Sequence, residues 1–166
     1  MKNGKILVGI THGDINGVGY EIILKLFSEP MMLELCTPII YGSPKVATYH
    51  RKAMELTTNF VTIQKGDEAV EGRLNLVDCL TDEVKIDFGQ PSAESGKAAL
   101  AALERAMADY REGLFDVLVT APINKATIQG DGFHFPGHTE YIQERAGEGR
   151  EALMILMNDV LRVALV

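Results

Sequence analysis

Short apolar runs alternate with helical stretches along this chain, the pattern expected of strands joined by crossover helices in a parallel sheet. Lys5 to Thr11, KILVGIT, predicts a first buried strand. The loop HGDINGVG follows, then a helix over Tyr20 to Ser28 with Ile22, Ile23, Leu26 and Phe27 on one face. Pro38 to Tyr41 predicts a second strand. Ser43-Pro44 then opens a helix to Leu56, with a capping residue followed by proline at the first helical position. Phe60 to Gln64 and Leu74 to Val77 predict strands joined by a polar connection, Lys65 to Arg73. The alternation of Val84, Ile86 and Phe88 predicts an edge strand.

The clearest helix starts at Pro91-Ser92 and runs to Glu112. Ala99, Leu103, Ala106 and Tyr110 recur there at helical spacing, and Gly113 supplies the stop. Val117 to Thr120 predicts a buried strand, and His138 to Ala146 a helix. Leu153 to Met157 and Leu161 to Val166 flank Asn158-Asp159, which predicts a hairpin with a two-residue turn. Val166 closes an apolar strand with no polar tail, so the chain is expected to be the front portion of a longer protein.

Composition narrows the class. The 166 residues suit one domain, and 46% hydrophobic with 23% charged residues is ordinary for a soluble globular chain. A net charge of −7 with scattered Lys and Arg argues against a nucleic-acid partner. No apolar run approaches the ~18 residues a membrane span needs, and Ile6 to Ile10 is too short for a signal-peptide core. Cys36 and Cys79 read as buried reduced thiols rather than a disulfide or metal pair, which points to the cytoplasm.

Candidate chemistry gathers after the Val117–Thr120 strand, because open parallel sheets bind ligands at the carboxyl ends of their strands. Lys125, beside Asn124, can hold a phosphate or carboxylate as a point charge; a solvated lysine in a first helical turn is the other reading. In Gly137-His138-Thr139-Glu140, His138 and Thr139 stand at a helix start whose free N–H groups favour an oxyanion. Alternatively, Thr139 is the N-cap and His138 a surface residue. His134 and His138 are four apart, but Pro136 and Gly137 lie between them, which argues against a helical metal pair.

The glycines Gly13, Gly17 and Gly19 match neither the dinucleotide fingerprint nor the P-loop, so ligand contact and a plain turn stay open. Asp14 is read as a helix cap. His12 reads as a loop residue and His50 as a helix-surface residue. None of these residues is assigned a catalytic role.

Five segments, ITHGDINGVGYE (10–21), SGKAALAALERA (95–106), VTAPINKATI (119–128), FPGHTEYI (135–142) and MILMNDVLRVALV (154–166), together resemble the 4-hydroxythreonine-4-phosphate dehydrogenase family of pyridoxal phosphate biosynthesis. The resemblance implies an α/β fold like that of the isocitrate and isopropylmalate dehydrogenases, three-layered and incomplete in this chain. It makes residues 1–166 the N-terminal α/β portion of a longer two-domain enzyme. The implied reaction is NAD-dependent oxidation of 4-phosphohydroxy-L-threonine to a β-keto acid that loses carbon dioxide. A divalent metal such as zinc, magnesium or cobalt assists, its ligands expected after Val166.

The family's substrate-contacting His-Thr pair falls on His138 and Thr139; Lys125, from its own place beyond the strand end, is read beside them as a phosphate neighbour. A homodimer is implied for the full-length protein, and inactivity for this portion alone. A dehydrogenase of threonate or erythronate 4-phosphate is the near alternative, and a non-redox acyl-phosphate transferase on a similar fold the distant one. The family loop G-D-P-A-G-I-G-P-E here lacks both prolines, with Ile15 and Tyr20 in their places.

Overall fold

The computed structural model describes residues 4–81, 83–130 and 132–165. Strands β1 (Ile6–Thr11), β2 (Cys36–Gly42), β3 (Phe60–Ile63), β4 (Leu74–Asp78) and β5 (Val117–Thr120) form one parallel sheet in the order β3-β4-β2-β1-β5. Helices α1 (Gly19–Leu26), α2 (Pro30–Leu35), α3 (Pro44–Ala53), α4 (Ala93–Arg111) and α5 (His138–Ala146) connect and cover it. Strands β6 (Met154–Met157) and β7 (Arg162–Leu165) pair as an antiparallel hairpin of their own.

The parity of the strand residues sorts two cores, because successive side chains point to opposite faces. Leu7, Ile39, Tyr41, Ile63 and Val77 pack with Ala102 and Ala106 of α4 and with Phe115. Ile10, Ile40, Leu74 and Leu76 pack with Ile23 and Leu24 of α1 and Val46 and Ala47 of α3. Each fully buried Leu or Ile contributes about 1.5–3 kcal/mol relative to exposure, so the central strands, covered on both faces, hold the domain together. The alanines on the buried face of α4 let that helix lie close to the sheet. Ser92 caps it, its Oγ accepting from Ser95 N at 3.0 Å. Gly113, at φ +69°, takes the left-handed conformation that ends it.

Several expectations need correction. Val84 to Phe88 is not a strand. Val84 and Ile86 do point into the core, but Asp87 N donates to Asn16 Oδ1 and Gly89 N to Asn16 O, so these backbone bonds go to a loop, not a ladder. β5 is not buried: it is the edge of the sheet, with Val117 and Val119 about half exposed. Helix α2 was not anticipated; its residues PMMLEL lack a polar face, and β2 begins directly after it.

Helix α3 stops at Ala53, before Leu56, where Glu55 adopts φ +55°. The hairpin turns through Asn158–Leu161 rather than two residues, Asn158 Oδ1 accepting from Val160 N and Leu161 N. Val166 lies outside the described residues. No helix among the described residues is long and apolar enough to cross a membrane.

Candidate functional site

Central strand β1 and edge strand β5 end side by side, Thr11 opposite Thr120, and the loops leaving them are tied together. Ala121 N donates to Thr11 O at 3.1 Å and Asp14 N to Pro122 O at 2.9 Å. This contact decides the role of two loop glycines. A Cβ on Gly13, which sits at φ +72°, would collide with the Pro122 carbonyl, and one on Gly19 with the carbonyl of His12. Both serve chain-to-chain packing. Asp14 does not cap α1: its Oδ1 accepts from Asn16 N at 2.9 Å, and the N-cap position belongs to Val18.

Side chains stand in for the two absent prolines. Ile15 and Tyr20 are fully buried, and His50 is buried rather than on the helix surface. His50 Nε2 lies 2.7 Å from Ile15 O, while Tyr20 Oη accepts from Ser43 N at 2.7 Å. Asn16 Nδ2 donates to Gln90 O at 2.8 Å, clipping the loop to the segment before α4.

His12 is also buried, its ring stacked on Tyr20 at 5.2 Å. Neither ring nitrogen has a partner in hydrogen-bond geometry among the described residues, although Ala98 and Gly13 backbone groups lie near enough to exert a weak pull. Burial dominates and lowers its pKa to about 4. His50 is lowered too, again by burial first.

After Pro122 the chain closes a compact turn. Asn124 Oδ1 accepts from Ala126 N at 3.0 Å and Thr127 N at 3.3 Å, and Asn124 O accepts from Ile128 N at 3.1 Å. Lys125 projects from this turn, exposed, and it is not in a helix. Its ammonium lies beside the start of α5: a Cβ on Gly137 would be 3.8 Å from Lys125 Cε and 4.0 Å from Nζ.

Gly137, in extended backbone, occupies the N-cap position of α5, so no side chain caps the helix and Thr139 is not its cap. His138 follows, half-buried, with Nε2 buried and without a partner among the described residues. Its pKa is lowered by burial first and then by the Lys125 charge, which keeps the ring neutral. Glu140 shares this helix start, its Oε2 3.7 Å from the same Gly137 position.

The structure therefore brings Lys125 and His138 together at a helix N-terminus. That combination of a cation, uncapped N–H groups and a neutral imidazole can hold an oxyanion or phosphate. Thr139 lines a neighbouring cavity of about 400 Å³ with Ile142, Gln143 and Arg150. His134 is exposed, and among the described residues no three His, Cys, Asp or Glu side chains converge to hold a metal. The described residues thus do not by themselves form a divalent-metal site. Cys36 and Cys79 are free and half-buried.

The model of the pyridoxal phosphate biosynthetic protein PdxA matches residues 34–166 of the chain. The chain belongs to the PdxA family. A 4-hydroxythreonine-4-phosphate dehydrogenase of Bacteroides thetaiotaomicron is 64% identical over all of this chain and 46% of its own length. One from Aquifex aeolicus is 35% identical over 95% of this chain and 48% of its own.

The crystal structure of a 4-hydroxythreonine-4-phosphate dehydrogenase from Burkholderia phymatum superposes on 98% of the chain with a TM-score of 0.86 at 30% identity, again over 49% of that protein. The chain spans about half the length of the curated relatives it matches. Its fold is the corresponding, incomplete α/β part of the fold of these PdxA dehydrogenases. A relative from Oceanobacillus iheyensis, 32% identical, is provisionally named a D-threonate 4-phosphate dehydrogenase.

Proposed function

We propose that this chain forms the phosphate-holding wall of an NAD-dependent dehydrogenase that oxidises 4-phosphohydroxy-L-threonine in pyridoxal phosphate biosynthesis. The observation that carries this reading is the pairing of Lys125 with His138 at the uncapped start of α5. Lys125 meets the phosphate as a point charge, and the first N–H groups of α5 donate hydrogen bonds to its remaining oxygens. The charge of Lys125 offsets that of Glu140 at the same helix start.

His138, held neutral, offers its buried Nε2 to a substrate oxygen, a contact that replaces a missing bond rather than breaking an existing one. NAD, when bound, would supply the hydride acceptor for oxidation of the secondary alcohol, while the residues of this chain would fix the phosphate end of the molecule. In this reading the whole protein is a homodimer. A D-threonate 4-phosphate substrate is the second reading, favoured by the names of several relatives at 32–34% identity. Both substrates present a phosphate to the same wall, and the 64% relative favours the first.

The test joins this chain to the remaining half of the Bacteroides thetaiotaomicron relative and follows reduced nicotinamide by absorbance. Turnover of 4-phosphohydroxy-L-threonine is expected, with the His138→Ala version losing about tenfold or more in kcat/KM. Unchanged kcat and KM in that variant would falsify the site. Faster turnover of D-threonate 4-phosphate would transfer the assignment to the second reading. Acyl exchange with no absorbance change would identify a transferase.

A further inference from the structure

Helix α4 carries a buried glycine, Gly96, inside its first turns, where glycine costs about 1 kcal/mol relative to alanine. The structure shows what requires it. The Asn124–Ile128 turn rests directly on the helix at this point: a Cβ on Gly96 would overlap the carbonyl of Thr127 and approach Ile128 N to 2.9 Å. Those atoms are backbone and cannot rotate away, so any side chain here must displace the whole turn.

From within, the same turn is closed by Asn124, whose Oδ1 takes two backbone N–H groups, and by Thr127 Oγ1 donating to Asn124 O at 3.3 Å. Lys125 is the residue between these two supports. Its side chain is exposed and projects from a turn rather than a helix, so these supports set where it starts.

We propose that Gly96 and Asn124 are positioning residues that hold the Lys125 turn against the start of α5, so that the ammonium meets a bound phosphate alongside His138. This rests on the functional reading above. Neither residue touches the ligand: Gly96 provides the seat and Asn124 the internal clasp. With the seat filled or the clasp opened, the turn moves off α4 and Lys125 leaves Gly137 and His138. The proposal accounts for a glycine within the segment SGKAALAALERA that helix propensity alone disfavours.

The test uses the 166-residue chain, inorganic phosphate and 4-phosphohydroxy-L-threonine as probes, and the ring resonances of His138 as an internal reporter. Burial first and then the Lys125 charge hold the His138 titration down, so departure of Lys125 is expected to let it rise. Gly96→Ala and Asn124→Ala are each expected to raise the His138 pKa in the direction seen for Lys125→Met, and to weaken phosphate binding about tenfold. Asn124→Ser keeps an uncharged side-chain oxygen for Ala126 N and Thr127 N and is expected to restore both signals.

A purely structural role would lower thermal stability and leave the His138 titration in place. That outcome in Gly96→Ala and Asn124→Ala overturns the proposal; if Gly96→Ala fails to fold, Asn124→Ala decides alone. If Lys125→Met itself leaves phosphate binding intact, the phosphate-wall reading fails, and the His138 titration still judges the positioning.

Discussion

Acidification from about pH 7 to about pH 4.5 removes stability through His12, whose ring is buried neutral against Tyr20. In the folded protein its pKa falls from 6.5 to about 4, and burial is the largest cause. Between those two values the unfolded chain binds a proton that the folded chain refuses. Stability from this group is therefore complete above about pH 6.5 and declines as pH falls, until the loss is complete near about pH 4. The gap of about 2.5 pH units, at about 1.4 kcal/mol each, amounts to about 3–4 kcal/mol. His50 and His138, also lowered, act in the same direction.

Urea unfolding at a series of pH values, followed by circular dichroism, reads this dependence directly. Because carboxylates also titrate toward the acid end, the decisive comparison is with His12→Gln, which cannot protonate. The variant is expected to lose most of the slope between neutral pH and about pH 5. A wild-type profile flat across that range, or a slope of equal size in His12→Gln, would refute the reasoning.

Two further outcomes are expected. Asn16→Ala strips partners from Asp87 N and Gln90 O and should cost about 2–3 kcal/mol, with faster amide exchange confined to residues 84–90; exchange rising uniformly across the sheet would contradict the clip. Cys79, whose thiol is pushed up to about 12 by burial, should alkylate with iodoacetamide far more slowly in the folded protein than in urea at mildly alkaline pH; equal rates would place the thiol outside its apolar surroundings.

The sheet was legible where apolar runs were short and bounded. The runs at β1, β2 and β4 pack on both faces, so a bare hydrophobic pattern carries their identity. Helix α4 was legible for a similar reason, its buried stripe recurring at helical spacing. The alternation at Val84 and Ile86 misled because burial on one side has the same signature whether the backbone bonds to a strand or to Asn16. β5 misled in the opposite sense: its β-branched residues suit an interior strand, but at the sheet edge Val117 and Val119 stay about half exposed.

At the site, Lys125 and His138 could be singled out because their residue types and neighbours carry chemistry. Their supports could not. Gly96 contributes by lacking atoms, and His50 contributes through a carbonyl bond to a loop 35 positions away. Neither effect leaves a periodicity to read.

The strand order also sets a schedule during synthesis. β1 lies inside the finished sheet, yet its two neighbours come off the ribosome at very different times: β2 is ready once residues 36–42 have emerged, whereas β5 arrives with residues 117–120. Leu7 N finds its acceptor, Asp116 Oδ2, only across 109 positions of chain. Until then one whole side of β1 presents unpaired N–H and C=O groups, as an edge strand does. Before β5 is made, β1 is therefore an edge of the partial sheet, and the arrival of β5 closes that edge in the same event that seats the Pro122–Ile128 segment beside the glycine loop.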